Sequence, residues 1–427
     1  GLMLSEWWQD KEKNIYLTPE EAKAAPTKTT QTVGKMSKSL RNYRAPQEIF
    51  DQYGADALRW YFFAKQPPWT SIQYSERQIK ESIPEFLLRL WNVYNGFFIQ
   101  YANLDGFSPA SLTNPGQLAA ENFSDGHGYR PVNQRSELDR WILSELHRTL
   151  SVVIESMDQY DNYRACTQVT AFVDALSNWY VRRSRDRFWS KDKSAPEKLD
   201  AYWTLYEVLT TTARLAAPFV PFVSEAFWQN LAVGPFGNRV PESIHLTDYP
   251  TANADLIDPD LARQMALIRE VASLGRAARA QEKLKVRQPL SKVEVILADS
   301  HKNDADWLTS HADLVCDELN VKAFEICAEP DRYITRTILP DLKKLGPRLG
   351  KKLPLVRNAL QQADADTLMT SFHENGQATV TLQDGTNVSI TEEECLIRTT
   401  AREGWAAAEG TRGVVRMSSE LPPDLIA

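Results

Sequence analysis

Between residues 75 and 231, apolar and aromatic side chains return every three or four positions, and this spacing restricts the fold more than any other feature. Phe86, Leu90, Val93, Tyr94 and Phe97 fall on one helical stripe. The spacing predicts a helical pair over 75–103, interrupted near Pro84. It predicts further helices from Ser136, as N-cap, to about 160, over 162–189, and over 197–231 with bends at Pro218 and Pro221. A polar stretch at 104–134 reads as a surface connection. Four long helices with aromatic faces make a bundle. The stripes at Trp91, Tyr94 and Phe97, and at Phe219, Phe222 and Phe227, are expected to form its core.

Upstream, residues 27–32 read as loop, and two short helices are expected at 46–54 and 55–65, the first ending at Gly54. Downstream of Pro250 the pattern changes. A helix at about 258–281 leads to strands near 292–297 and 321–326 around a helix at 304–319. Another helix follows Arg348, and Gln383-Asp384-Gly385 offers a hairpin turn. The fold class is multi-domain and mainly α, a helical bundle followed by a smaller α/β module. The boundaries fall at 1–80, 81–255 and 256–427.

Composition narrows the function. Hydrophobic residues make up 43% and charged residues 25% of the chain, a globular balance. No apolar run is long enough to span a membrane and no signal peptide is visible, so cytoplasm is the expected compartment. Cys166, Cys316, Cys327 and Cys395 form no close pair, and the histidines are scattered, so neither zinc nor another metal site is expected. The net charge of -7 hides three basic stretches, at 179–193, 276–292 and 336–352. Basic patches on an acidic body suit a protein that holds a polyanion and releases it.

Lys35-Met36-Ser37-Lys38-Ser39 alternates cations and hydroxyls after Gly34. Ammonium groups on a closable loop stabilise a departing pyrophosphate more than they stabilise bound ATP. The pentapeptide resembles the signature loop of class I aminoacyl-tRNA synthetases. Asp51-Gln-Tyr-Gly-Ala-Asp-Ala-Leu-Arg59-Trp60 is similar to the helix that follows that loop in the isoleucine, valine and leucine enzymes. Leu90-Trp-Asn-Val-Tyr-Asn95, Ser136-Glu-Leu-Asp-Arg-Trp-Ile142 and Leu176-Ser-Asn-Trp-Tyr-Val-Arg-Arg-Ser-Arg185 resemble the isoleucyl family. So do Lys285-Val-Arg-Gln-Pro-Leu290 and Asp317-Glu-Leu-Asn-Val-Lys322. Leu345-Gly-Pro-Arg-Leu-Gly-Lys351 points to its eukaryote-like type and speaks against a valyl or leucyl enzyme. A non-catalytic tRNA-binding paralogue is the other alternative, against which the intact loop argues.

The resemblance implies an enzyme that activates isoleucine with ATP and Mg2+ and loads it on tRNA(Ile), working as a monomer. Lys35 and Lys38 are the expected catalytic residues, and Lys35, Met36, Ser37, Lys38 and Ser39 the ATP-binding loop. Trp179, Arg182, Arg183, Arg185, Arg187, Lys285 and Arg287 are candidates for tRNA contact, by stacking and by phosphate pairing. The alternative for the helix is structural, with Trp179 in the core and the arginines paired to carboxylates such as Asp174 and Asp186. The family's HIGH motif and nucleotide fold lie N-terminal to the loop and are absent here. The chain is therefore read as a C-terminal portion, inactive alone, that meets ATP and isoleucine through the missing half. Two dozen extra residues, roughly 7–33, precede the loop and are expected to bulge to solvent. Asp424-Leu-Ile-Ala427 looks like the start of a helix that should continue.

Overall fold

The computed structural model describes residues 3–10, 12, 16–17, 19–24, 29–37, 44–111, 128–327, 334–383, 385–401 and 404–418. The chain divides into two compact units, Gly1–Pro259 and Asp260–Ala427.

The first unit opens with a small sheet. β1 (Met3–Asp10) pairs antiparallel with β2 (Tyr16–Leu17) and, along its whole length, with β3 (Thr29–Lys35). α1 (Pro19–Ala24) lies between β2 and β3 in the chain. Of the residues expected to bulge, 7–10, 16–17 and 29–33 contribute instead to an antiparallel ribbon, and 29–32 of the stretch read as loop are strand. Trp7, Trp8, Thr29, Thr30, Thr32 and Val33 are β-formers, and pairing satisfies their backbone groups.

α2 (Pro46–Tyr53) and α3 (Ala55–Ala64) follow, parted by Gly54 at φ 86°. β4 (Ile72–Tyr74) then adds to β1 in parallel. α4 (Glu76–Ser82), α5 (Leu88–Trp91) and α6 (Ile99–Asp105) form one continuous run, joined by π-helical stretches at Ile83–Leu87 and Asn92–Phe98. Pro84 thus widens the helix rather than interrupting it, because a π turn tolerates the missing N–H. α7 (Glu137–Asp158) starts at Ser136, whose hydroxyl accepts the Asp139 N–H. α8 (Asn162–Ala175) runs through a π stretch at Leu176–Val181 into α9 (Arg182–Trp189).

α10 (Pro196–Ala216) is buried on nearly every side and forms the axis of the bundle. It ends before Pro218, and α11 (Pro221–Trp228) starts afresh, so the expected bent helix is two helices. The break is held from α3. Arg59 donates to the Pro218 and Phe219 carbonyls at 2.7 and 3.2 Å, and Asp56 accepts the Phe222 and Val223 N–H groups at 3.4 and 2.7 Å. Both ends of the break are therefore capped by the Asp-Ala-Leu-Arg segment that follows the signature loop. Burial raises the Asp56 pKa even though those amides oppose it. α12 (Gly234–Phe236) closes the bundle after a π stretch at Gln229–Val233.

Stacked rings fill the core. Trp60 and Phe86 lie 3.7 Å apart, Tyr94 and Phe227 4.0 Å, and Phe107 and Tyr202 4.8 Å. Phe222 departs from the expected core stripe at 67% exposure, as does Trp91 at 36%. Phe222 falls in the first turn of α11, beyond the break that resets the helical phase.

In the second unit α13 (Pro259–Gln281) precedes a sheet ordered β11-β12-β5-β6. Its strands are β5 (Leu290–Leu297), β6 (Val321–Ile326), β11 (Trp405–Gly410) and β12 (Gly413–Ser418). β5 and β6 are parallel, as a helical crossover requires. The crossover is two helices rather than one, α14 (Ala305–Ser310) and α15 (Ala312–Leu319), after a 3-10 turn at Asp299–Asp304. A side chain at Gly275 of α13 would meet Leu319 at 2.4 Å, so glycine permits the close approach of α13 and α15.

A second cluster has its own core. β7 (Ile334–Pro340) pairs with β10 (Cys395–Ala401), and β8 (Ala378–Thr381) with β9 (Asn387–Ile390) through the expected hairpin. α16 (Leu342–Leu349), α17 (Leu353–Gln362) and α18 (Ala365–Asn375) complete it, packing Leu345, Val356, Leu360 and Phe372 on Ile338, Val380 and Ile390. A helical bundle followed by a smaller α/β module is the observed architecture.

Candidate nucleic-acid interface

The signature loop starts from a strand. Lys35 is the last residue of β3 and pairs with Leu4, and the Met36 N–H donates to the Met3 carbonyl at 3.0 Å. Lys35 is exposed, while Met36 and Ser37 are half-buried. A loop was expected from Lys35 onward; the first lysine is instead fixed by the ladder. Lys38 and Ser39 lie outside the described residues.

The basic helix separates into two kinds of residue. Arg182 and Arg185 are exposed and Arg183 half-buried. Arg187 turns inward. Its guanidinium donates to both carboxylate oxygens of Asp139, at 2.6 and 2.9 Å, and to Ser184 Oγ at 2.7 Å. Asp139 also accepts from Tyr180 Oη and Ser136 Oγ, each at 2.6 Å. Burial alone would raise the Asp139 pKa, but Arg187, Ser136 and Tyr180 hold it below the usual carboxylate range. The carboxylates named in advance do other work in part, since Asp174 pairs with Arg89 at 2.7 Å.

Trp179 is 4% exposed and belongs to the bundle core, so it offers no ring face to a ligand. The exposed indole on this run is Trp189, at 56%, which sequence reasoning passed over. The π stretch at Leu176–Val181 explains the substitution. One extra residue per turn rotates everything after it by about 100° relative to an ideal helix. A wheel drawn from α8 therefore misplaces α9.

Lys285 and Arg287 sit on an exposed turn between α13 and β5. The turn is held from beneath by Arg279, which is fully buried. Its guanidinium donates to the carbonyls of Lys285 and Gln288 at 2.9 Å each, of Leu319 at 2.6 Å and of Asn320 at 3.1 Å. These four acceptors carry no formal charge, and burial lowers the Arg279 pKa. Lys283 adopts φ 56°, a left-handed conformation at the end of α13, where its N–H donates to the Ala280 carbonyl at 3.2 Å and the Leu284 N–H to the Arg279 carbonyl at 2.8 Å.

Among the described residues no group of three His, Cys, Asp or Glu is placed to hold a metal ion, and no helix is long and apolar enough to cross a membrane. Cys166 is buried, and burial pushes its thiol well up, away from reactivity.

Residues 139–295 match the anticodon-binding domain of tRNA ligases, and residues 29–75 match the class I tRNA synthetases for I, L, M and V. The two matched stretches make the chain similar to parts of the class I tRNA ligases. Within that class its similarity is to isoleucine–tRNA ligases. It is 36% identical over 392 residues to isoleucine–tRNA ligase 2 of Bacillus thuringiensis subsp. konkukian, covering 92% of this chain and 35% of that one. Identity to the Streptomyces avermitilis isoleucine–tRNA ligase is 39%, with the same coverages. For the Deinococcus radiodurans enzyme the figures are 38%, 92% and 34%. The chain thus spans about 35% of the length of the curated relatives it matches.

Proposed function

We propose that this chain is the tRNA-binding portion of an isoleucyl-tRNA synthetase of the eukaryote-like type. Residues 1–80 are the end of its catalytic domain, 81–255 its anticodon-binding bundle, and 256–427 a C-terminal module. In the longer enzyme isoleucine attacks ATP, pyrophosphate leaves, and the acyl group passes to the terminal ribose of tRNA(Ile). Lys38 and then Lys35 stabilise the departing pyrophosphate, and Met36, Ser37 and Ser39 shape the loop around ATP. Magnesium arrives with ATP, held mostly by phosphates. The enzyme acts as a cytoplasmic monomer.

For RNA contact the reading favours Arg182, Arg183 and Arg185 on α9, with Lys285 and Arg287 on the turn. Arg187 and Trp179 support the helix instead. The observation that carries the reading is the anticodon-binding match over a bundle that displays arginines on one helix.

Filter binding of the 427-residue chain to tRNAs with different anticodons, at two stated salt concentrations, tests it. Preference for isoleucine tRNAs at both is expected. Affinity that tracks salt and ignores the anticodon would overturn it. The chain alone is expected to show no isoleucine-dependent ATP–pyrophosphate exchange.

A further inference from the structure

The structure assigns to Trp189 a role as a stacking platform for an unpaired RNA base, with Arg182 and Arg185 holding the flanking phosphates. The inference rests on the reading above that the bundle binds tRNA, and it names a site within it.

Arg182, Arg185 and Trp189 are spaced i, i+3 and i+7 within α-helical α9, so they share one face. All three are exposed. A tryptophan more than half exposed on a strongly cationic helix is costly to leave in water and unnecessary for packing, since Phe188 beside it already fills the core. Trp189 is also oriented. Its Nε1–H donates to Tyr101 Oη at 2.7 Å, and Tyr101 is braced by Phe97, with centroids 4.9 Å apart. An indole with its N–H satisfied by protein keeps its π-face for a ligand and loses little entropy on binding.

The surroundings complete the chemistry. Leu104, 69% exposed, belongs to the helix end whose carbonyl accepts from Lys193 Nζ at 2.8 Å, and Lys191 is exposed nearby in sequence. The carboxylate at this end, Asp105, is taken up by Lys198 at 2.6 Å. Apolar surface bordered by cations fits nucleobases and phosphates together, which an acidic or purely apolar protein surface does not offer. Beneath the face, the Asp139–Arg187 pair fixes α9 against the start of α7.

The test uses the full 427-residue chain and a synthetic stem-loop RNA carrying an isoleucine anticodon loop, with fluorescent 2-aminopurine in the loop. Wild type is expected to bind and to quench the probe. Trp189→Ala and Trp189→Leu should weaken binding roughly 5- to 140-fold and abolish quenching, with the salt dependence unchanged. Trp189→Phe, which keeps a ring, should retain most of both. Arg185→Gln should instead lower the salt slope by about 1. If wild type binds but Trp189→Ala and Trp189→Leu bind and quench equally well, the stacking role is overturned while the tRNA reading stands. If wild type does not bind the stem-loop at all, the underlying reading fails and takes this one with it.

Discussion

Arg187 in the first unit and Arg279 in the second are both withdrawn from solvent beneath exposed cationic residues, yet they are satisfied differently. Arg187 meets a buried carboxylate, Asp139, in a bidentate pair. Arg279 meets four carbonyls drawn from two segments of chain. The first arrangement couples two helices through opposite charges. The second gathers backbone carbonyls of a turn and a helix end around one planar fork of N–H groups; two of those carbonyls, of Lys285 and Asn320, also accept the Gln288 and Leu290 N–H groups at 3.0 and 3.1 Å. A regular helix already satisfies its own carbonyls and can only offer side chains to an anchor. A turn has carbonyls to spare, and arginine is the side chain with enough donors to collect them.

The comparison breaks most visibly at Asp139. Asp139→Ala leaves the Arg187 charge buried and unpaired, and should cost about 3–5 kcal/mol in urea unfolding of the first unit. The double variant Asp139→Ala with Arg187→Met should recover part of that loss, because no charge is left stranded. Arg279→Met, by contrast, strands no charge and removes the arginine's bonds to four carbonyls, of which Lys285 and Asn320 keep a backbone donor. About 3 kcal/mol from the second unit is expected, by the same measurement, with the Lys285 turn exchanging its amide hydrogens faster.

Acid sharpens the contrast. Asp139 has a folded pKa below its unfolded value, so its contribution is present above about pH 4 and lost as pH falls through the folded value. The Arg279 anchor contains no titrating partner and loses nothing in that window. A third group acts earlier. His147 is buried and accepts the Asn253 N–H at Nδ1, 3.1 Å away, and burial lowers its pKa to about 4. A histidine depressed in the folded state is stabilising above its ordinary pKa of about 6.5 and loses that contribution as pH falls towards 4. The first unit should lose about 2 kcal/mol between pH 7.5 and 5 from this source. His147→Gln should flatten that slope in pH-dependent melts. The smallest effect belongs to the exposed partners. Arg182→Gln should shift stability by less than about 0.5 kcal/mol, read in the same melts.

Much of this was legible in advance. The helix starting at Ser136 carries its cap and its stripe in the letters, and the hairpin at Gly385 and strands β5 and β6 follow local pattern. What escaped has physical causes. π-helical turns after Ala175 and before Leu88 change the phase of a helix without any distinctive residue, and so Trp189, given no role from the sequence, carries the exposed ring while Trp179 takes the structural alternative. The strand at Thr29–Lys35 escaped because its partner, β1, lies some twenty-five residues earlier and the threonines alone read equally well as loop. Asp56 and Arg59 were noticed as a motif, but their task of capping a helix break some 160 residues away depends on tertiary contact. No sequence window contains it.

The ribbon leading to Lys35 has one further consequence, a matter of parity. Leu4 faces Lys35, Ser5 faces Gly34 and Glu6 faces Val33, so the position of Lys35 is set by the end of the ribbon nearest β4. Residues can be added or removed in matched pairs at the far end without moving that lysine. A single unmatched residue between Val33 and Lys35 would turn it to the opposite side of the sheet. The ribbon is therefore free to vary in length at its tip but not in register at its base. Joining Glu6 to Val33 through Asn-Gly would shorten it to a minimal hairpin and leave the lysine where it now stands.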